Sequence, residues 1–262
     1  MSITKEDVMR LKGRGFLRNR GTDAFSGRVV TAGGVYTAED LKNIAQCAEL
    51  YGNGKVCFTS RLSAEIVGIP FEKVDDAEKF LAERGLFFGG AGARVRPITA
   101  CKGTVCVFGI LDTQGLAKTL HERFYVGMHD VILPHKFKIG IGGCPNSCMK
   151  PSLNDVGIEA RMRYNDEIKQ AERVWLVSVG GTWGKTRRDG TPLSFTLTPE
   201  KIEDTVLAIL LWYRENGYRG ERLGSTVDRV GIASLEAGIL DGSLLARRDA
   251  ILGAARLERP AE

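Results

Sequence analysis

Residues 135–148 read His135-Lys-Phe-Lys-Ile-Gly-Ile-Gly-Gly-Cys144-Pro-Asn-Ser-Cys148. The alternation predicts a β-strand over 137–143. Phe137, Ile139 and Ile141 then point into a core, and Lys136, Lys138, Gly140 and Gly142 point the other way. That second face carries two ammonium groups followed by two positions without side chains. It suits a flat ligand lying on bare backbone with an anionic edge near the lysines. An edge strand with solvated lysines gives the same pattern. The strand runs directly into a cysteine pair, which ties it to chemistry.

Working backward, a second pair lies in Cys101-Lys-Gly-Thr-Val-Cys106, after a predicted strand over 94–100 and before a predicted helix over 113–125. Four thiolates on two loops can hold a [4Fe–4S] cluster or a tetrahedral zinc, or can be separate reactive or buried thiols. The helix and strand between the pairs, and the Cys-Pro step, favour the cluster over a zinc knuckle. Cys47 and Cys57 stand apart and are expected to be small buried hydrophobes. Working forward, an apolar run over 174–179 predicts a buried strand. The loop after it, Gly180-Gly-Thr-Trp-Gly-Lys-Thr-Arg-Arg-Asp-Gly190, is rich in glycine and cations, so it is either a plain surface loop or a carboxylate or phosphate grip. It is not a Walker sequence.

The remaining pattern alternates helices and strands. Thr37-Ala-Glu-Asp40 opens a helix whose apolar face is Leu41, Ile44, Ala45, Ala48 and Tyr51. A strand is expected over 55–60 and a helix over 74–84, ending at Gly85. Glycines over 85–92 mark a soft boundary. Thr198-Pro-Glu200 opens a helix with Ile202, Val206, Ile209 and Leu210 on its core face, and 225–257 reads as helical. The class is α/β (α+β). With 262 residues, 43% hydrophobic and 26% charged, the chain can bury a core without disorder dominating. A net charge of +5 without clustered basic and aromatic residues argues against nucleic acid. The longest apolar run, 206–213, is too short for a bilayer span, and the charged first residues are unlike a signal peptide. A cytoplasmic protein is expected.

The run from Thr99-Ala-Cys-Lys-Gly-Thr104 through Leu133-Pro-His-Lys-Phe-Lys138 to Gly143-Cys-Pro-Asn-Ser-Cys148, continued by Asn154-Asp-Val-Gly-Ile158, resembles the sirohaem-dependent nitrite and sulfite reductases. The likeness covers about residues 25–215. It implies a ferredoxin-like half-domain over 20–90 and a sirohaem- and [4Fe–4S]-binding α/β domain over 91–225, and the helical pattern beyond them is expected to form a tail over 226–262. It implies that Cys101, Cys106, Cys144 and Cys148 ligate the cluster, with Cys148 also bridging to sirohaem iron. It places Arg61, Arg96, Lys136 and Lys138 around a small oxyanion, with Arg94 a near rival to Arg96. Gly180, Gly181, Lys185, Arg187 and Arg188 would meet sirohaem carboxylates. The implied reaction is a six-electron reduction, sulfite favoured over nitrite. The alternative is a non-catalytic electron-transfer subunit. With no flavin or nicotinamide fingerprint, an external donor such as a ferredoxin is implied. A homodimer, or a place in a larger complex, fits a chain with one copy of a unit that many relatives carry twice. The first cysteine pair has four intervening residues where the family usually has five.

Overall fold

A computed structural model describes residues 3–260, so the first two residues and the last two of the expected C-terminal tail lie outside it. The chain divides into two compact units, one ending at Gly92 and the other beginning at Ala93.

The first unit contains α1 (Lys5–Gly13), β1 (Phe16–Arg18), β2 (Ala24–Val30), α2 (Ala38–Tyr51), β3 (Val56–Phe58), β4 (Ala64–Pro70), α3 (Val74–Ala82) and β5 (Phe87–Phe88). Its antiparallel sheet has the order β1-β2-β4-β3, and β5 also pairs with β2. Helix α2 begins with a full capping box: the Thr37 hydroxyl accepts from Asp40 N at 3.0 Å, and the Asp40 carboxylate accepts from Thr37 N at 2.8 Å. Its buried stripe is Ile44, Cys47 and Ala48, with Tyr51 packed beside it, at the i, i+3, i+4, i+7 spacing of a helix face. Leu41, expected on that face, is exposed. Helix α3 closes on Gly85, which takes φ +73° and lets Leu86 N reach Leu81 O at 2.9 Å.

The second unit contains β6 (Thr99–Ala100), α4 (Thr113–Leu120), β7 (Ile139–Gly142), β8 (Val156–Asn165), β9 (Gln170–Val179), β10 (Thr191–Pro192), α5 (Ile202–Asn216), α6 (Leu223–Val230), α7 (Ile232–Leu240), α8 (Ser243–Ala246) and α9 (Arg248–Gly253). The sheet order is β10-β9-β8-β7-β6. Strands β6, β7 and β8 are parallel, while β9 and β10 join antiparallel. The strand expected over 94–100 is reduced to Thr99–Ala100 and a lone parallel bridge between Val95 and Phe137. Pro97 interrupts it, because it has no N–H to give the ladder. Helix α4 runs on as a π-helical turn over His121–Val126. Helix α5 is buried on almost every side, because the sheet lies on one flank and the C-terminal helices on the other. Leu235, Leu244 and Ile251 of those helices join the same core as Ile139, Ile141 and Phe137.

Candidate functional site: two cysteine loops and a cationic sheet face

Parallel pairing brings the two cysteine loops together. Thr99 is in register with Gly140 and Ala100 with Ile141, so the C-terminal ends of β6 and β7 lie side by side. Cys101 follows β6 directly, and its N–H extends the ladder to Ile141 O at 3.1 Å. Cys144 comes two residues after β7. The Cys101 sulfur accepts backbone N–H groups from Gly143, at 3.2 Å, and from Gly103, at 3.4 Å. Backbone N–H···S bonds of this kind stabilise a thiolate and tune a cluster's potential. Close approach needs glycine here: a Cβ on Gly143 would lie 3.1 Å from Gly103 Cα, and one on Gly103 would lie 2.6 Å from the Thr113 hydroxyl. That hydroxyl donates to Cys101 O at 2.6 Å and ties the loop to α4.

Cys101, Cys106 and Cys144 are half-buried, and Cys148 is exposed. Among the described residues, no three His, Cys, Asp or Glu side chains gather round a single metal-ion position. Four thiols on two loops that leave neighbouring parallel strands are a donor set that fits a four-iron cluster, which takes one thiolate at each corner. Cys47 is buried as expected, and burial pushes its thiol up to about 12, so it stays protonated and inert. Cys57, also expected to be buried, is exposed on β3, which lies at the edge of its sheet.

The cationic face begins where Val95 bridges Phe137. Arg96 N donates to Phe137 O at 2.8 Å, and Phe137 N donates to Arg94 O at 3.0 Å. Val95 and Phe137 are buried, so Arg94, Arg96, Lys136 and Lys138 take the opposite face, each half-buried. Arg94 Nη1 lies 3.2 Å from His129 Nε2. Lys138 N donates to Asp155 Oδ2 at 2.9 Å. Asp155 is fully buried and takes Arg222 Nη2 on both oxygens at 2.8 Å. Burial makes Lys136 a stronger acid than a free lysine, and the nearby Arg222 and Arg96 add to this. Sequence reasoning missed Arg222 altogether. Asp155 was visible only as part of the Asn154-Asp-Val-Gly-Ile158 run. Arg61, in the first unit, sits in the tight turn between β3 and β4, where its N–H donates to the Thr59 hydroxyl at 3.3 Å.

The glycine face differs from expectation. The space over Gly140 and Gly142 is filled by the turn that follows Cys148. A Cβ on Gly140 would lie 2.8 Å from Asn154 Cγ, and one on Gly142 would lie 3.0 Å from Pro151 Cγ. These glycines admit the chain itself. Gly181 does the same, since its Cβ would collide with the Ser152 carbonyl and lie 2.5 Å from Asn154 O. Gly180 takes φ +82° and would meet Gly224 Cα at 2.7 Å. In the 180–190 loop, Arg188 is engaged internally. It forks onto Asp228 at 3.1 and 2.6 Å, bonds the carbonyls of Val179, Gly180 and Asp189, and reaches the Thr191 hydroxyl. Gly180, Gly181 and Arg188 thus shape the loop, while Lys185 and Arg187 project from it into solvent. Gly181→Ala is expected to cost about 1–3 kcal/mol by overpacking, read as a lower midpoint in thermal unfolding. Gly253→Ala, where a Cβ meets nothing within 4 Å, should leave the midpoint unchanged or higher.

Residues 91–241 match the family described as the nitrite and sulphite reductase 4Fe-4S domain, and residues 18–84 match the nitrite/sulfite reductase ferredoxin-like half domain. The coenzyme F420-dependent sulfite reductase of Methanocaldococcus jannaschii is 31% identical over 250 residues, covering 76% of this chain and 39% of that protein. One subunit of the anaerobic sulfite reductase of Salmonella typhimurium is 32% identical over 162 residues, covering 55% of this chain and 46% of its own length. The NAD(P)H nitrite reductase of Bacillus subtilis is 27% identical over 211 residues, covering 80% and 24%. The chain thus spans less than half the length of these curated relatives. The fold matches that of Mycobacterium tuberculosis NirA, with TM-score 0.79 and 20% identity over 99% of this chain and 49% of that one. It also matches dissimilatory sulfite reductase I, with TM-score 0.71 and 19% identity over 91% and 72%.

Proposed function

Because this chain belongs to the nitrite and sulfite reductase family, we propose that it is the catalytic unit of a sirohaem and [4Fe–4S] oxidoreductase that reduces sulfite to sulfide, with nitrite as the alternative substrate. One observation carries this reading. Two cysteine loops leave the side-by-side C-terminal ends of β6 and β7, with the Cys101 sulfur already held by two backbone N–H groups.

Cys101, Cys106, Cys144 and Cys148 would hold the cluster, and Cys148 would also contribute to binding sirohaem. When bound, these groups supply the electron transfer. The chain's own residues do the rest. Lys136, Lys138 and Arg96 bind the oxyanion and stabilise charge gathering on its oxygens. The Lys136 ammonium, held half-buried beside Arg222, can give a proton from Nζ to an oxyanion oxygen. Lys185 and Arg187, exposed on their loop, would meet cofactor carboxylates. Electrons come from an external donor such as a ferredoxin, and the unit works as a homodimer or as part of a larger complex. Among the described residues, no helix is long and apolar enough to cross a membrane.

The substrate preference rests on Lys138. A second cation gains more from a sulfite dianion than from a nitrite monoanion in a partly desolvated site. Lys138→Asn is expected to lower kcat/KM for sulfite more than for nitrite, about tenfold for each ~1.4 kcal/mol of transition-state stabilisation lost. The measurement is both rates with a chemical reductant. Equal losses would make Lys138 a general anion anchor, and a wild type that prefers nitrite would reverse the substrate assignment.

A further inference from the structure

Arg222 is the best-supported residue that the family motifs do not point to. It heads α6, far from the cysteine and lysine motifs in sequence, yet it reaches the buried Asp155 beside β7. Its immediate neighbour Glu221 is engaged elsewhere, forking onto Arg229 at 3.1 and 2.8 Å and accepting Tyr218 N at 2.9 Å. Asp155 is therefore the carboxylate that holds Arg222. The same carboxylate fixes Lys138 by its backbone N–H. Arg222 Nε is buried without a hydrogen-bond partner among the described residues. A buried ion pair that leaves a donor unmet is an expensive way to gain stability, since apolar side chains of the same volume often do as well. What this pair does deliver is position: a guanidinium fixed near Lys136 and a carboxylate fixed on the Lys138 N–H.

We propose that Arg222 is a positioning residue of the lysine face: it holds Asp155, through Asp155 the backbone of Lys138, and it stands as a second cation beside Lys136. This rests on reading that face as the anion site. The charged and titratable groups that act on Lys136 are Arg96 from the 94–96 segment, Asp155 ahead of β8, Arg222 at the head of α6, and His135 next to it in the chain. Behind them, the Tyr213 hydroxyl of α5 donates to Glu221 O at 2.5 Å, and burial keeps it protonated. Arg222 and Arg96 both make the Lys136 ammonium readier to release its proton, and Asp155 opposes them. Arg222 thus links the position of one lysine to the acidity of the other.

The test is the pH dependence of acetic anhydride labelling at Lys136, read by mass spectrometry on the full chain without cofactors, with exposed Lys42 as internal standard. Arg222→Gln should move the Lys136 midpoint to higher pH, because a cation is lost while Asp155 remains. At a fixed pH below the midpoint, labelling should fall about tenfold for every pH unit by which the midpoint rises. Asp155→Asn should move it the opposite way. Arg222→Lys, which keeps the charge, should stay near wild type. Where a single variant does not fold, the neutral pair Asp155→Asn/Arg222→Met decides. It keeps an acceptor for Lys138 N and should show a smaller movement than either single change, because a cation and an anion are lost together. Unchanged midpoints in folded variants overturn the proposal. Altered midpoints with unaltered turnover of both sulfite and nitrite would uphold the coupling and overturn the anion-site reading instead.

Discussion

Cys144→Ser is expected to remove iron and acid-labile sulfide together and to reduce sulfite turnover by more than about a thousandfold, roughly 4 kcal/mol of transition-state stabilisation. The thiolate is the ligand, and a serine hydroxyl stays protonated where a thiol ionises. The effect should be local. Gly140 to Gly142 lie in the sheet and Gly143 O accepts from Ile110 N at 2.8 Å, so the backbone that presents residue 144 does not depend on the sulfur. Far-ultraviolet circular dichroism should therefore match wild type while the cluster is lost. Cys101, Cys106 and Cys148 should behave alike. Cys57→Ser, on an exposed edge strand, should change neither iron content nor rate. Cys47→Ser should keep the cluster but lower stability, because it puts a hydroxyl into the core between α2 and α3. Full iron and sulfide in Cys144→Ser would remove that residue from the ligand set.

Asp155→Ala carries the largest expected cost in stability, about 3–5 kcal/mol. The carboxylate is fully buried, and both oxygens are used by Arg222 and one also by Lys138 N. Removing it leaves a mostly buried guanidinium and a backbone donor without their acceptor. The reverse comparison separates pairing from burial. Replacing both partners by Asn and Met should cost much less than the single change, because no charge is left alone. Urea unfolding of the full chain measures both. A cost for Asp155→Ala below about 1 kcal/mol would put this pair with solvent-exposed ion pairs, and the positioning role of Arg222 would lose its basis.

Much of the fold was legible because local chemistry and packing agree. Thr37 and Asp40 cap α2 in the manner their spacing announces. Phe137, Ile139 and Ile141 are fully buried, as alternation requires. The cysteine pairs follow strands, and their glycines let the loops touch. Other features are set by contacts that a single sequence does not display. Alternation shows which face Gly140 and Gly142 occupy, but not that Pro151 and Asn154 fill it. A basic glycine loop looks the same whether its arginine meets a ligand or, like Arg188, a carboxylate forty residues away. Leu41 and Cys47 both fit a helical stripe, and only the packed neighbours choose between them. Arg222 has no local signal, because its role comes from a long-range pairing with Asp155. Pro97 could have warned that the 94–100 strand would be interrupted.

If four cysteines of this chain hold a [4Fe–4S] cluster beside sirohaem, the visible spectrum of the anaerobically purified chain should show chlorin-type bands over a broad iron–sulfur absorption, and Cys144→Ser should lose the cluster contribution. A brown shoulder without chlorin bands would mean an electron-transfer protein, and a colourless protein containing stoichiometric zinc would mean that the cysteines hold no cluster.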